Sequence, residues 1–171
     1  MNNQDEELIV TDFGTVKSKE YFYVGDPCYV LDDDTYDDMC YKIQDWDVEH
    51  GKWIDNFGVI KTEKGEMLVH KTLYGDGTYE SPIGEVSVDS GLIAIIPDTL
   101  LDQDKFHRIL DDNAGCRVYG TEANLLWITG DTESEYGSRY GTFEINIKNP
   151  DYSFQIHTGK NINESMSDMK L

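Results

Sequence analysis

Alternation of apolar and polar positions dominates this chain. Short runs in which β-branched and aromatic residues recur at every second place predict strands at residues 8–10, 21–24, 57–61, 67–74, 84–88 and 92–96, and again at 116–119, 125–129, 142–147 and 152–157. Two stretches carry helical signals instead. Asp33 or Asp34 is placed to cap a helix running through Gln44, and Pro97-Asp98 opens a second that reaches Leu110. A first-turn proline needs no donor, and an aspartate answers the positive end of the helix dipole. Leu100, Leu101, Phe106, Ile109 and Leu110 give the second helix an apolar face. The expected fold class is α+β, a mostly antiparallel β-sheet with one or two packed helices.

Turn residues punctuate the pattern. Ser90-Gly91 between two apolar runs reads as a hairpin connection, as does Gly75-Asp76-Gly77, and Lys148-Asn149-Pro150-Asp151 separates the last two strands. There are no repeats and no internal boundary, so residues 1–160 are expected to form a single domain. The stretch 161–171, polar and Ser/Asn-rich, reads as a mobile C-terminal tail. A chain of 171 residues can bury roughly two-thirds of the surface its unfolded form exposes, so it needs no disulfide or metal to fold.

Charge changes the picture. With 34 acidic against 14 basic residues the formal net charge is −20. Non-specific nucleic-acid binding depends on Lys and Arg displacing condensed counterions, so direct contact with DNA or RNA is not expected. A dense negative surface instead attracts basic proteins, including those that themselves bind nucleic acid, and the plainer role of such charge is solubility. Cys28, Cys40 and Cys116 are odd in number and lack CxxC spacing, and the acidic N-terminus has no apolar leader; a reduced, cytoplasmic setting without membrane attachment is expected.

Three short motifs join turn residues to strands: Gly25-Asp26-Pro27-Cys28-Tyr29, Tyr74-Gly75-Asp76-Gly77-Thr78-Tyr79, and Val88-Asp89-Ser90-Gly91. Over residues 21–101 this set resembles a group of small, poorly characterised phage and bacterial proteins in which a GDPCY-type turn is followed by a GDGxY turn and a VDSG strand. The resemblance implies a phage or mobile-element context, where small acidic proteins of the host cytoplasm neutralise host defence. It implies no catalytic set.

The residues themselves leave several chemistries open. Cys28 at a tight turn is a nucleophile only if a histidine lies near it; among His50, His70, His107 and His157, His70 is the best placed, on the strand feeding the GDGTY turn. Against this, cysteine is commonly buried and inert, and Asp26 and Asp32 disfavour a thiolate. Asp26-Pro27 shapes a turn, with room for a cis peptide, while Gly25 permits close backbone approach or positive φ. Asp26, Tyr29, Asp76 and Tyr79 would line a small-ligand cleft where the two turns meet. A nucleotide there would need Lys71, Arg108, Arg117 or Arg139 to offset the negative field.

Asp32, Asp33, Asp34, Asp37 and Asp38 lack EF-hand spacing and read as a solvated helix start and a partner-binding acidic face. No metal and no cofactor are expected. Tyr21, Tyr23, Tyr29, Tyr36, Tyr41, Tyr74 and Tyr79, with Trp46 and Trp53, load the first half with aromatic rings that fill a core, line a pocket or anchor an interface.

Three functions follow. The first is an acidic accessory protein that binds and inhibits a host protein, by its acidic face or by nucleic-acid mimicry. The second is a protein that sequesters or hydrolyses a nucleotide signal near Cys28, His70 and Asp76. The third is a virion or structural accessory protein.

Overall fold

The computed structural model describes residues 7–73, 75–130 and 140–159. Strands β1 (Leu8–Lys17) and β2 (Tyr21–Gly25) lead into a 3-10 turn (Pro27–Tyr29) and helix α1 (Asp33–Lys42). Then come β3 (Gln44–Asp47), β4 (Lys52–Asp55), β5 (Gly58–Thr62), β6 (Gly65–Lys71), β7 (Gly77–Ser81), β8 (Gly84–Val88) and β9 (Leu92–Pro97). A second 3-10 turn (Asp98–Leu100) precedes α2 (Gln103–Asp111), followed by β10 (Cys116–Tyr119), β11 (Glu122–Gly130), β12 (Gly141–Lys148) and β13 (Tyr152–Gly159).

The described strands pair antiparallel throughout. The α+β class read from the sequence is the one observed. One sheet has the order β1-β11-β12-β13, a second the order β10-β2-β9-β6-β5, and β3-β4 and β7-β8 are separate two-stranded ribbons.

Burial explains the layering. Period-two alternation sends Phe22, Val24, Leu68, Ile93 and Ile95 of the five-stranded sheet toward Leu125, Trp127, Phe143, Ile145 and Ile156 of the four-stranded one. Tyr23, Met67, Val69, Leu92, Ala94 and Ile96 face the other way, against Leu31, Met39, Leu101 and Phe106 of the helical layer. The five-stranded sheet is therefore the middle of three layers. That is why β9, Leu-Ile-Ala-Ile-Ile-Pro, is buried at every position rather than at alternate ones.

Several sequence expectations change in detail. Asp32, not Asp33 or Asp34, caps α1, its carboxylate accepting from the Thr35 amide, and the helix ends at Lys42 so that Gln44 begins β3. The helix expected from Pro97 is interrupted at Leu101, whose extended backbone ends the 3-10 turn, and Asp102 caps α2 anew. Neither Ser90-Gly91 nor Gly75-Asp76-Gly77 closes a hairpin: β8 pairs with β7, whereas β6 and β9 pair with each other in the middle sheet. The hairpin turn of that ribbon is Pro82-Ile83, between paired Ser81 and Gly84. The cis peptide of the described residues lies at Asn149–Pro150, in the expected turn between β12 and β13, and not at Asp26–Pro27. The expected tail, 161–171, lies outside the described residues.

Candidate functional site

The three motifs converge, and one carboxylate holds them. Asp26, with no exposed surface, follows β2 as the cap of the 3-10 turn and accepts four hydrogen bonds. The Cys28 amide (2.8 Å) and the Ser90 hydroxyl (2.7 Å) donate to its Oδ1, and the Asp89 and Ser90 amides (both 2.7 Å) to its Oδ2. A buried carboxylate is tolerated where its lone pairs are satisfied in this way. Asp26 thereby pulls the VDSG turn open toward the GDPCY turn, which accounts for the missing hairpin at Ser90-Gly91.

The remaining contacts extend the same junction. Tyr29 Oη donates to Asp89 at 2.5 Å. The Thr72 amide donates to Gly91 O (2.9 Å), while the Thr72 and Tyr79 hydroxyls both donate to Gly75 O at 2.6 Å, tying in the GDGTY turn. Gly25 is required by close approach: a Cβ there would lie 2.4 Å from Tyr23 Oη, and one at Gly115 2.5 Å from the same ring. Tyr23 Oη in turn donates to Asp26 O at 2.8 Å.

This geometry places the residues of the expected cleft. Asp26 is enclosed and saturated, Tyr79 is buried, and Asp76 is exposed beside Gly91; Tyr29 is half-buried over Asp89. Of the cations that would meet a phosphate, Lys71 reaches Asp55 at 3.6 Å and Arg117 lies over the rings of Tyr21 and Phe106. Arg108 is exposed in the last turn of α2. Tyr74 and Arg139 fall outside the described residues.

Cys28 and His70 are not brought together. Cys28 sits in the 3-10 turn near Tyr36 of α1, on the helical side. Burial, and next the Asp26 carboxylate beside it, push its thiol up to about 12. His70 faces the opposite sheet, its ring 4.9 Å from those of Phe13 and Phe57 and 4.7 Å from that of Trp127, with Nδ1 donating to Lys71 O at 2.8 Å. Burial holds its pKa down, to about 4. Because thiolate is the alkylating species, Cys28 in the folded protein should react with iodoacetamide near pH 8 at least about tenfold more slowly than in the denatured chain. Peptide-resolved mass spectrometry checks this, and equal rates would show a thiol far more acidic than its surroundings dictate. Among the described residues no three His, Cys, Asp or Glu are grouped to hold a metal ion.

The five acidic residues of the first helix divide by role. Asp32 accepts from the Thr35 amide and pairs with Lys64, whose ammonium, with that amide, brings its carboxyl down to about 2. Asp38 accepts from the Glu63 amide and pairs with Lys42 at 3.2 Å. Asp33, Asp34 and Asp37 stand exposed on the outer face; Asp33 is 98 % exposed even with Lys105 at 3.7 Å.

A feature absent from the sequence reading lies next to this face. The β3–β4 ribbon carries a cross-strand pair, Trp46 opposite Trp53, with ring centroids 5.3 Å apart and both rings at least half exposed. Tyr41 at the end of α1 is 83 % exposed. With β5 these rings line an open groove of about 630 Å³. The signal was present as two tryptophans symmetrically disposed about a Val48-Glu49-His50-Gly51 turn, but the short flanks alternate too little to read as strands. No helix among the described residues is long and apolar enough to cross a membrane. Compared with protein-family models, curated proteins and solved structures, the chain finds no significant match.

Proposed function

We propose that this chain is an acidic accessory protein that acts by binding, and that its target is a basic protein of the host cell, of the kind that itself binds nucleic acid. The observation carrying this reading is the division of labour on α1. Asp32 and Asp38 serve the fold, while Asp33, Asp34 and Asp37 present charge to solvent one turn apart, beside exposed aromatic rings. Beyond first-turn helix charge at Asp33 and Asp34 and the exposed Asp33–Lys105 pair at 3.7 Å, no contact among the described residues engages those three carboxylates. A net charge of −20 adds a long-range field that accelerates encounter with a basic surface, and a row of carboxylates competes there with phosphates. Inhibition of a host defence protein by such competition fits the phage-type motif set.

Separation of Cys28 from His70, with the thiol pushed up and the imidazole enclosed by rings, favours binding over turnover. The test is capture from host lysate on the immobilised protein along a salt gradient, run beside a variant with Asp33, Asp34 and Asp37 all changed to Lys. A stoichiometric basic protein should elute from the wild type at moderate salt, and its association should be slower by about tenfold or more with the variant. On-rates equal for the two proteins would sink the acidic-face mechanism. Asp32 is left alone because losing that cap costs about 1 kcal/mol of stability and would confuse the result.

A further inference from the structure

The groove beside α1 contains an unpaired sheet edge, and the direction of its backbone groups can be worked out. Thr72 N–H donates to Gly91 O, one step beyond the β6–β9 register in which His70 faces Ile93 and Leu68 faces Ile95. Alternation then turns the amides and carbonyls of His70 and Leu68 toward β9, and those of Met67 and Val69 toward β5. Their partners Ile60 and Gly58 face β6 in return, as does Thr62 opposite Gly65 across the two-residue turn. Val59 and Lys61 therefore aim their backbone groups away from the sheet, and both residues line the groove. Of these groups the Lys61 carbonyl accepts from Lys42 Nζ at 2.7 Å. The Val59 amide and carbonyl and the Lys61 amide have no partner among the described residues.

An open edge of this kind is ordinarily blunted, because it is a template for another strand. Here it is accompanied by side chains that would hold one. Tyr41, Trp46 and Trp53 form an exposed aromatic wall across from the edge, and exposed apolar surface in a soluble chain marks a contact site. The charge around it has one sign. Residues 44–55 carry Asp45, Asp47, Glu49 and Asp55 against Lys52 alone. The two lysines on the rim are already matched, Lys42 to Asp38 at 3.2 Å and Lys61 to Glu66 at 3.6 Å.

We propose that the groove between α1, the β3–β4 ribbon and β5 takes an extended basic segment of a partner protein, which adds to the β5 edge as a further antiparallel or parallel strand. This rests on the binding reading above and names the surface and the chemistry of its partner. Main-chain bonds to Val59 and Lys61 supply affinity, and arginine or lysine side chains stacking on Trp46 and Trp53 while facing the carboxylates supply selectivity. A second copy of this chain is disfavoured as the occupant, since it brings its own charge of −20.

The probe is a fluorescent synthetic peptide of about eight residues alternating Arg and Val, compared with a twin N-methylated at every backbone amide, since alternate amides point to opposite edges of a strand. The twin keeps the charge and loses the donors that a strand pairing needs. The parent should bind with at least about tenfold higher affinity than the twin by anisotropy, and Trp53→Ala, at an exposed ring, should weaken the parent by about tenfold. Lys61→Pro deletes an outward amide and should do the same, whereas Lys61→Ala, which keeps that amide while removing the charged side chain and freeing Glu66, should bind the parent as well as wild type or better.

Equal binding of parent and twin would overturn strand addition while leaving a charge-driven partner intact. Selective binding that survives both Trp53→Ala and Lys61→Pro would place it on another edge and overturn the assignment. No binding of either peptide, together with no salt-releasable protein in the capture experiment, would remove this inference and the binding function together. A wild-type dimer in sedimentation that Trp53→Ala dissociates would assign the groove to a second copy instead.

Discussion

Asp26→Ala should destabilise the folded protein by about 4 kcal/mol, because it strips the acceptor from four donors at once, each costing roughly 1–3 kcal/mol when left unmet in a buried place. The donors are the amides of Cys28, Asp89 and Ser90 and the Ser90 hydroxyl. Partial access of water at exposed Asp89 keeps the sum below its upper limit. Asp26→Asn separates charge from shape. It preserves the volume and one acceptor but sets an amide –NH2 against donors, at about 2 kcal/mol. Equilibrium denaturation in urea gives both values. A loss under about 1 kcal/mol for the alanine variant would mean that the motifs are held together by packing rather than by this carboxylate. Because the Asp26 junction also sets where β9 begins, the alanine variant should lose amide-exchange protection first at residues 88–92 and in the Thr72-Gly75 turn.

That junction marks the boundary of what the sequence disclosed. The strands were readable where burial alternates over several residues, as in β11 and β13, and also in β2 and β9, whose aromatic or β-branched content identifies them even with both faces covered; β7 (Gly77–Ser81), with Tyr79 as its one buried residue, and β1 beyond Val10 were not. The motifs were readable as fixed points. Their mutual contacts were not, because Asp26 meets Asp89 and Ser90 across 63 and 64 residues, and no local pattern encodes that distance. The hairpin misplaced at Ser90-Gly91 has the same origin, while Gly75-Asp76-Gly77 is held instead by the Thr72 and Tyr79 hydroxyls on Gly75 O. A Ser-Gly turn between apolar runs is locally compatible with a hairpin, and the bonds of a remote carboxylate to the Asp89 and Ser90 amides go with β9 leaving β8 to pair with β6 in the sheet. The ribbon that forms one wall of the groove escaped notice for a different reason. Gln44–Asp47 and Lys52–Asp55 are short and exposed, so the burial that writes alternation into a sequence is missing there. Surfaces kept for partners are poorly visible to a reading that depends on burial.

His70 offers the other large effect, and its sign follows from the box of rings around it. The imidazole is 5 % exposed, so protonation would place a charge among Phe13, Phe57, Trp127 and Phe143 with only the Lys71 carbonyl to receive a proton bond. Burial brings its pKa down to about 4 from 6.5, outweighing the raising effect of that carbonyl; nearby Lys71 lowers it slightly and Asp55 raises it slightly. Between those two values the unfolded chain binds the proton and the folded one does not. The stabilisation from keeping His70 neutral is thus complete above about pH 6.5, declines as pH falls, and is gone below about pH 4, a total of about 3 kcal/mol. Asp32, brought down to about 2 by Lys64 and the Thr35 amide, adds a stabilisation that is fully present above about pH 3.8 and lost only as pH falls toward 2, so it gives no slope between pH 7 and 4. Urea unfolding at intervals from about pH 7 to pH 4 should show this slope in the wild type, and His70→Phe, which keeps a ring in the box, should flatten it even if its stability at neutral pH is lower. A slope of the same size in His70→Phe would trace the acid sensitivity to another group and leave His70 a neutral bystander between the sheets.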